Sequence, residues 1–206
     1  MEITRFELGP FATNTYLIYK ENSTFLIDAG TKDLVPIFEK IERDKKKIES
    51  VLITHAHYDH IFGLEELIKY NPNIKIYIGE SELKVLKNPQ FNLSFYTDHK
   101  FKFDFSVLNI KTISEKNNDY VYNAKILDVP GHTCGSVAYY FEEEKVCFAG
   151  DLIFELGIGR TDFPTADFEQ IEKSIRKIFD LDNDIVIYPG HGDDFFNGDR
   201  KNKRII

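Results

Sequence analysis

The most chemically loaded stretch of the sequence is Thr54-His55-Ala56-His57-Tyr58-Asp59-His60, where four of the six positions from His55 can ligate a metal or move a proton. In an extended loop, His55 and His57 at i and i+2 point to one side and can grip one ion. Asp59 and His60 lie where the next helix begins and face another direction. Further along, His132, Asp151 and His191 each follow a glycine that itself follows a short apolar run. A single zinc is satisfied by three or four protein ligands, so seven candidates are too many for one ion. Two ions sharing a bridging carboxylate use all seven. Such pairs, typically ~3.5–4 Å apart, activate a bridging water and polarise the group under attack. Two divalent ions against two aspartates and one hydroxide leave a local charge of about +1, which suits a carbonyl developing negative charge. Histidine and carboxylate donors without cysteine accept zinc, the leading expectation, and also iron or manganese.

These residues must be delivered by the chain around them. Asn14–Tyr19, Thr24–Asp28, Val51–Thr54, Ile74–Ile78, Ala124–Val129, Ser136–Phe141, Lys145–Ala149 and Ile185–Tyr188 read as short apolar strands. Amphipathic helices are expected from Asp33 to about Lys46, over Ile61–Lys69 and Ser81–Leu86, and from an Asp167 cap to Asp180. The charge run Arg43–Lys47 reads as the solvated end of the first helix. Strands interleaved with helices indicate an α/β core with helices outside. Asp28, His55, His132, Asp151 and His191 all come just after a strand, where layered α/β folds build their sites. Gly131, Gly150 and Gly190 allow the turns that bring three of them inward, and Pro130 and Pro189 help end their strands.

Composition narrows the class. With 42% apolar and 29% charged residues over 206 positions, the chain suits one globular domain spanning 1–206. A net charge of −8 disfavours non-specific nucleic-acid binding. No secretory signal or membrane-spanning apolar run is visible, and two cysteines, Cys134 and Cys147, are too few for a disulfide framework, so a cytoplasmic, membrane-free protein is expected. Both cysteines read as packing residues. His99 has no motif around it and reads as surface. The aromatic stretch Phe91, Phe95, Tyr96, Phe101, Phe103 and Phe105 could wall an acyl pocket, although core or interface packing is the commoner use.

The run His55-Ala56-His57-Tyr58-Asp59-His60, followed in order by Gly131-His132, Gly150-Asp151 and Gly190-His191, resembles the metallo-β-lactamase superfamily, as does Leu26-Ile27-Asp28-Ala29-Gly30. The resemblance covers the chain from about Phe11 to His191. It implies a four-layer αββα sandwich with the metals at one sheet edge. It also implies that His55, His57 and His132 hold a first ion, Asp59, His60 and His191 a second, and that Asp151 bridges. Asp28 either orients a ligand loop by hydrogen bonds or is a simple turn aspartate before Gly30.

Gly157-Ile158-Gly159-Arg160-Thr161-Asp162-Phe163-Pro164 resembles the short, bacterial glyoxalase II-like group, which includes thioester hydrolases. Arg160 there either orients substrate or forms a buried ion pair with Asp162 that braces the loop. The resemblance implies a metal-dependent hydrolase of a small ester or acyl-thiol, with Asp59 helping to position water and handle a proton. Full-length glyoxalase II carries a helical extension that grips glutathione, and only Gly192 to Ile206 follows His191 here, so weak dependence on glutathione is expected. The alternatives are a persulfide dioxygenase with a single iron, which leaves Asp59, His60 and His191 idle, and a di-iron redox or non-catalytic relative. The oligomeric state is not readable from the sequence.

Overall fold

The computed structural model describes residues 1–97 and 108–201. The chain opens with β1 (Glu2–Leu8), β2 (Thr13–Lys20) and β3 (Ser23–Ile27), an antiparallel meander. Helix α1 (Val35–Arg43) then leads to β4 (Ser50–Ile53), which pairs with β3 in parallel. After α2 (Tyr58–Ile61) and α3 (Leu64–Tyr70) come β5 (Lys75–Gly79), the short α4 (Leu83–Leu86) and β6 (Asn109–Ile113), which complete a six-stranded sheet in the order β1 to β6. The second sheet holds β7 (Tyr120–Val121), β8 (Ala124–Asp128), β9 (Val137–Phe141), β10 (Val146–Gly150), β13 (Val186–Pro189) and β14 (Phe195–Phe196) in the order β14-β13-β10-β9-β8-β7. Between β10 and β13 run the hairpin β11 (Ile153–Phe154) with β12 (Gly157–Ile158), and helix α5 (Phe168–Phe179). A last helix, α6 (Asn197–Lys201), follows β14.

Alternation along the strands sorts side chains between two faces of each sheet. Tyr16, Ile18, Phe25 and Ile27 meet Ile126, Tyr139, Phe141 and Phe148 between the sheets. Leu17, Leu26, Val51 and Ile76 pack outward against Ile37 and Ile41 of α1 and Leu64 and Leu67 of α3. On the far side, Tyr140, Cys147 and Ile187 meet Ile171, Ile175 and Ile178 of α5. These are the layers of an αββα sandwich. The three α5 isoleucines are fully buried, each contributing about 1.5–3 kcal/mol. Asp167 caps that helix as its sequence suggests, accepting from the Gln170 amide at 3.0 Å.

Several expected elements end differently. Helix α1 is shorter than Asp33–Lys46, because Pro36 fixes its first turn and Lys45 takes a φ of 53° just past its end. The expected helix Ile61–Lys69 is broken at Gly63, where a Cβ would stand 2.4 Å from the Thr31 carbonyl oxygen. Ser81 does not cap a helix: Glu80–Glu82 form a 3-10 turn ahead of α4, and no side chain caps either. Strands β1, β6, β11, β12 and β14 lie outside the stretches that read as strands. Cys147 is buried in the core, and Cys134 packs partly against the outer core with its thiol 3.8 Å from the Ser81 carbonyl. His99, Phe101, Phe103 and Phe105 lie outside the described residues. Among the described residues no helix is long and apolar enough to cross a membrane.

Candidate metal centre and active site

Five strands deliver side chains to one edge of the sandwich. From the first sheet, β3 leads into Asp28 and β4 into Thr54 and His55, after which α2 carries Asp59 and His60. From the second, β8, β10 and β13 lead to His132, Asp151 and His191. Gly131 and Gly150 turn the chain inward at φ values of 139° and 53°, a region that L side chains rarely occupy. Gly190 serves differently from the turn role expected of it. A Cβ there would stand 2.1 Å from Asp151 Oδ1 and 2.6 Å from the His60 ring, so its missing side chain makes room for the site.

The seven candidates converge. Donor atoms of His55, His57 and His132 lie within 4.8 Å of one another, as do those of His55, His60 and Asp151, and those of Asp59, His60 and His191. Asp151 spans the set: Oδ1 is 3.4 Å from His60 Nε2, while Oδ2 is 3.7 Å from His132 Nε2 and 3.5 Å from His191 Nε2. Asp59 Oδ2 is 3.2 Å from His191 Nε2 and accepts a hydrogen bond from the Thr13 hydroxyl at 3.2 Å.

The outer nitrogen of four of the five rings is already committed as a donor. His132 Nδ1 donates to the Arg160 carbonyl at 2.8 Å and His191 Nδ1 to the Phe11 carbonyl at 3.0 Å. His60 Nδ1 donates to Asp28 Oδ2 at 2.8 Å. The Thr54 hydroxyl gives its proton to Asp28 Oδ2, so His55 Nδ1 must donate to the Thr54 hydroxyl oxygen, 3.1 Å away. Each ring therefore turns Nε2 into the shared space, the arrangement by which outer partners fix a histidine for metal binding. His57 is reversed, with Nδ1 facing His132 Nε2 at 2.9 Å. Among the described residues, the buried His55 Nε2, His60 Nε2 and Asp151 Oδ1 have no hydrogen-bond partner. Buried polar atoms are normally satisfied, so this donor set fits one or more cations.

Asp28 holds much of this together. It takes a φ of 57° and accepts from the Thr54 amide as well as from the Thr54 hydroxyl and His60. A second carboxylate escaped the reading of the sequence. Glu82 is fully buried and accepts from the Ala56 amide at 2.7 Å, the Thr133 hydroxyl at 2.6 Å and the Gly135 amide at 2.9 Å. It thereby joins the His55–His57 loop of one sheet to the His132 loop of the other. A glutamate after Ser81 at a helix start reads as an ordinary exposed first-turn acid, and nothing local marks it otherwise.

Arg160 does not form the buried pair that was one of its two readings. Its Nε and Nη2 bind Asp162 at 2.9 and 2.7 Å, but both side chains are about two-thirds exposed. The guanidinium lies 4.2 Å from the centre of the Phe163 ring. Of the aromatic stretch, Tyr96 lines the cavity over the site, Phe91 packs against the outer core and Phe95 is exposed.

Burial and neighbouring histidines push His55 well below its ordinary value, and burial pushes His57 down to about 3. Burial also lowers His132, against the pull of Asp151. These rings are neutral, with lone pairs to offer. At His60 burial acts in the same sense, yet Asp151, Asp59 and Asp28 outweigh it and hold the ring well above its ordinary value. At His191 burial is overcome by Asp151 and Asp59, which raise it to about 10. The two aspartates thus demand positive charge, which a divalent cation supplies by displacing protons.

Residues 8–191 match the family model of the metallo-beta-lactamase superfamily. A probable metallo-hydrolase of Streptococcus pyogenes serotype M6 is 33% identical over 87% of this chain and 78% of its own. The hydroxyacylglutathione hydrolase GloC of Haemophilus influenzae is 32% identical, over 93% of this chain and 91% of its own. A crystal structure of a protein in a di-iron-bound form superposes with a TM-score of 0.83 at 24% identity, covering 97% of each chain. The chain belongs to the metallo-beta-lactamase superfamily.

Proposed function

We propose that this protein is a binuclear metal-dependent hydrolase of a small thioester or ester, working on an acyl-thiol substrate. His55, His57 and His132 would hold one ion and Asp59, His60 and His191 the other, with Asp151 shared. The observation that carries the reading is the position of Asp151, whose two carboxylate oxygens face ring nitrogens of both groups. A single-iron reading leaves Asp59, His60 and His191 without a task, although their donor atoms converge as closely as those of the other groups. Zinc is the first expectation for the metal, with iron and manganese compatible with the same donors.

When bound, paired divalent ions supply Lewis acidity and lower the pKa of a water. The chain's own residues do the rest. Asp28 and Thr54 lock the rings of His60 and His55, and the Arg160 and Phe11 carbonyls lock those of His132 and His191. Asp59 lines the cavity, with Oδ2 held by Thr13 and facing His191. It is placed to hold a proton released during attack and pass it toward the leaving thiol. The test is hydrolysis of lactoyl thioesters with metal measured in the same sample. Turnover by protein carrying two ions per chain is the expected result. A firm plateau at one ion, with activity indifferent to His191→Ala, would overturn the binuclear reading.

A further inference from the structure

The cavity above the candidate site encloses about 810 Å³, a volume suited to a small-molecule ligand. Its floor is polar, formed by His57, Asp59, His132, Asp151 and His191. Its walls are of another kind. Phe154 and Ile158 come from the β11–β12 hairpin, Phe163 and Pro164 from the loop after it, and Phe11 and Tyr96 from the β1–β2 turn and the segment after α4. Phe11 and Tyr96 keep 54% and 69% of their surface exposed, so these rings have apolar area left to bury against something else.

Charge points the same way. Among the described residues lining the cavity, Arg160 is the single lysine or arginine. Its fork is taken by the bidentate contact to Asp162, and one face of the guanidinium covers Phe163. A carboxylate on a substrate would have to displace Asp162, itself a lining residue, to gain the same two bonds. A carrier such as glutathione brings two carboxylates, and among the described lining residues it finds no uncommitted lysine or arginine.

We infer that the cavity selects thioesters or esters with an apolar acyl group, aromatic or medium-chain, and gives little recognition to an anionic thiol carrier. This rests on the hydrolase reading of the same site. Phe154, Ile158 and Phe163 are the specificity-determining residues, since they wall the space beside the histidines. Apolar contact of this kind acts on bound substrate and transition state alike, so it shows as a lower KM more than as a higher kcat.

The experiment uses the full chain loaded with metal and two substrate series. In the first, the carrier is N-acetylcysteamine and the acyl group runs from acetyl to hexanoyl to phenylacetyl. In the second, the acyl group is lactoyl and the carrier is N-acetylcysteamine or glutathione. The expected result is a rise in kcat/KM of at least tenfold from acetyl to phenylacetyl, carried by KM, with the two lactoyl substrates within about tenfold of each other. Phe163→Ala and Phe154→Leu, checked for native thermal unfolding, should flatten the acyl series, and the wild-type series decides the matter if either variant fails to fold. Turnover with a flat acyl series, or with glutathione favoured by a hundredfold or more, overturns this inference and leaves the hydrolase reading standing. No turnover of any member by protein carrying two ions overturns both.

Discussion

The two halves of the candidate centre are built on opposite principles. His55, His57 and His132 are 4% exposed or less, contain no carboxylate of their own, and are pushed toward neutrality by burial. Asp59 and His191, in the other half, keep 20% and 27% of their side chains exposed. There Asp59 and Asp151 raise His60 and His191. The first half gathers neutral rings in a buried pocket, so a cation gains from not having to order its ligands. The second attracts by charge and is the more exposed of the two, although His57 and His132 also line the cavity. The second half should therefore exchange its ion more readily, and Asp59 gives it the group that can hold a proton.

What the two halves share is Asp151. Asp151→Ala is expected to lower kcat/KM by well over a hundredfold, because removing an outer partner of a ligand alone costs ~10–100-fold. Steady-state kinetics with metal analysis checks this. A mild loss with both ions retained would mean that the two groups do not depend on Asp151. Next in size is His191→Ala. It should reduce metal content from two ions per chain to one and spare the protein's folding, whereas His55→Ala should disturb both halves, since His55 belongs to two of the three converging groups. Equal stoichiometries for the two variants would erase the asymmetry.

The buried half is braced from outside its ligands. Glu82 ties the His55–His57 loop to the His132 loop, and its substitution by alanine is expected to cost about 10–100-fold in metal affinity at that half. Burial raises the Glu82 carboxyl above its ordinary value, against the hydrogen bonds from Thr133, Ala56 and Gly135. A raised carboxyl favours folding below its unfolded value, and that contribution is lost as pH rises through the folded one. Glu82→Gln removes this titration. In chelator, its stability relative to wild type should therefore improve as pH climbs from 4 to 7, read by thermal unfolding. A pH-independent difference would show that the carboxylate is as well solvated by its three partners as by water.

Why the seven candidates were legible and Glu82 was not follows from where each gets its reason to exist. Four ligand-type residues in six positions have no local use in a loop, so His55, His57, Asp59 and His60 stand out in the sequence itself. His132, Asp151 and His191 stand out because each ends an apolar run with a glycine. The burial of Glu82 instead comes from the approach of Gly135, whose own Cβ would stand 2.5 Å from the Glu82 amide nitrogen. That contact joins positions more than fifty residues apart, and no periodicity encodes it. The same holds for Thr13, which reaches Asp59 from a strand that reads only as core. Strand β1 hid for another reason: Ile3 packs on the core between the sheets and Phe6 and Leu8 on the outer core, so its apolar residues keep no single alternating face.

The smallest expected effect concerns the loop after β12, where the most conspicuous side chain should matter less than its neighbour. Exposed ion pairs contribute little to stability, and the Arg160–Asp162 pair is of that kind. What this segment gives the buried half is the Arg160 backbone carbonyl, which accepts from His132 Nδ1 and which every residue at that position possesses. Arg160→Ala is therefore expected to change kcat/KM on a neutral thioester by less than about fivefold, a difference of under about 1 kcal/mol in transition-state binding, and to leave both ions in place. Gly159 precedes it with no side chain, and a Cβ there would stand 1.8 Å from the Asp151 carbonyl oxygen and 3.0 Å from His132 Nδ1. The backbone must shift to admit it, carrying the Arg160 carbonyl away from the ring it orients. Gly159→Ala should thus cost at least tenfold in kcat/KM and weaken metal retention on dialysis. If Arg160→Ala proves the more damaging of the two on neutral substrates, the loop acts through its charge, and the backbone brace on His132 is not what the site needs from it.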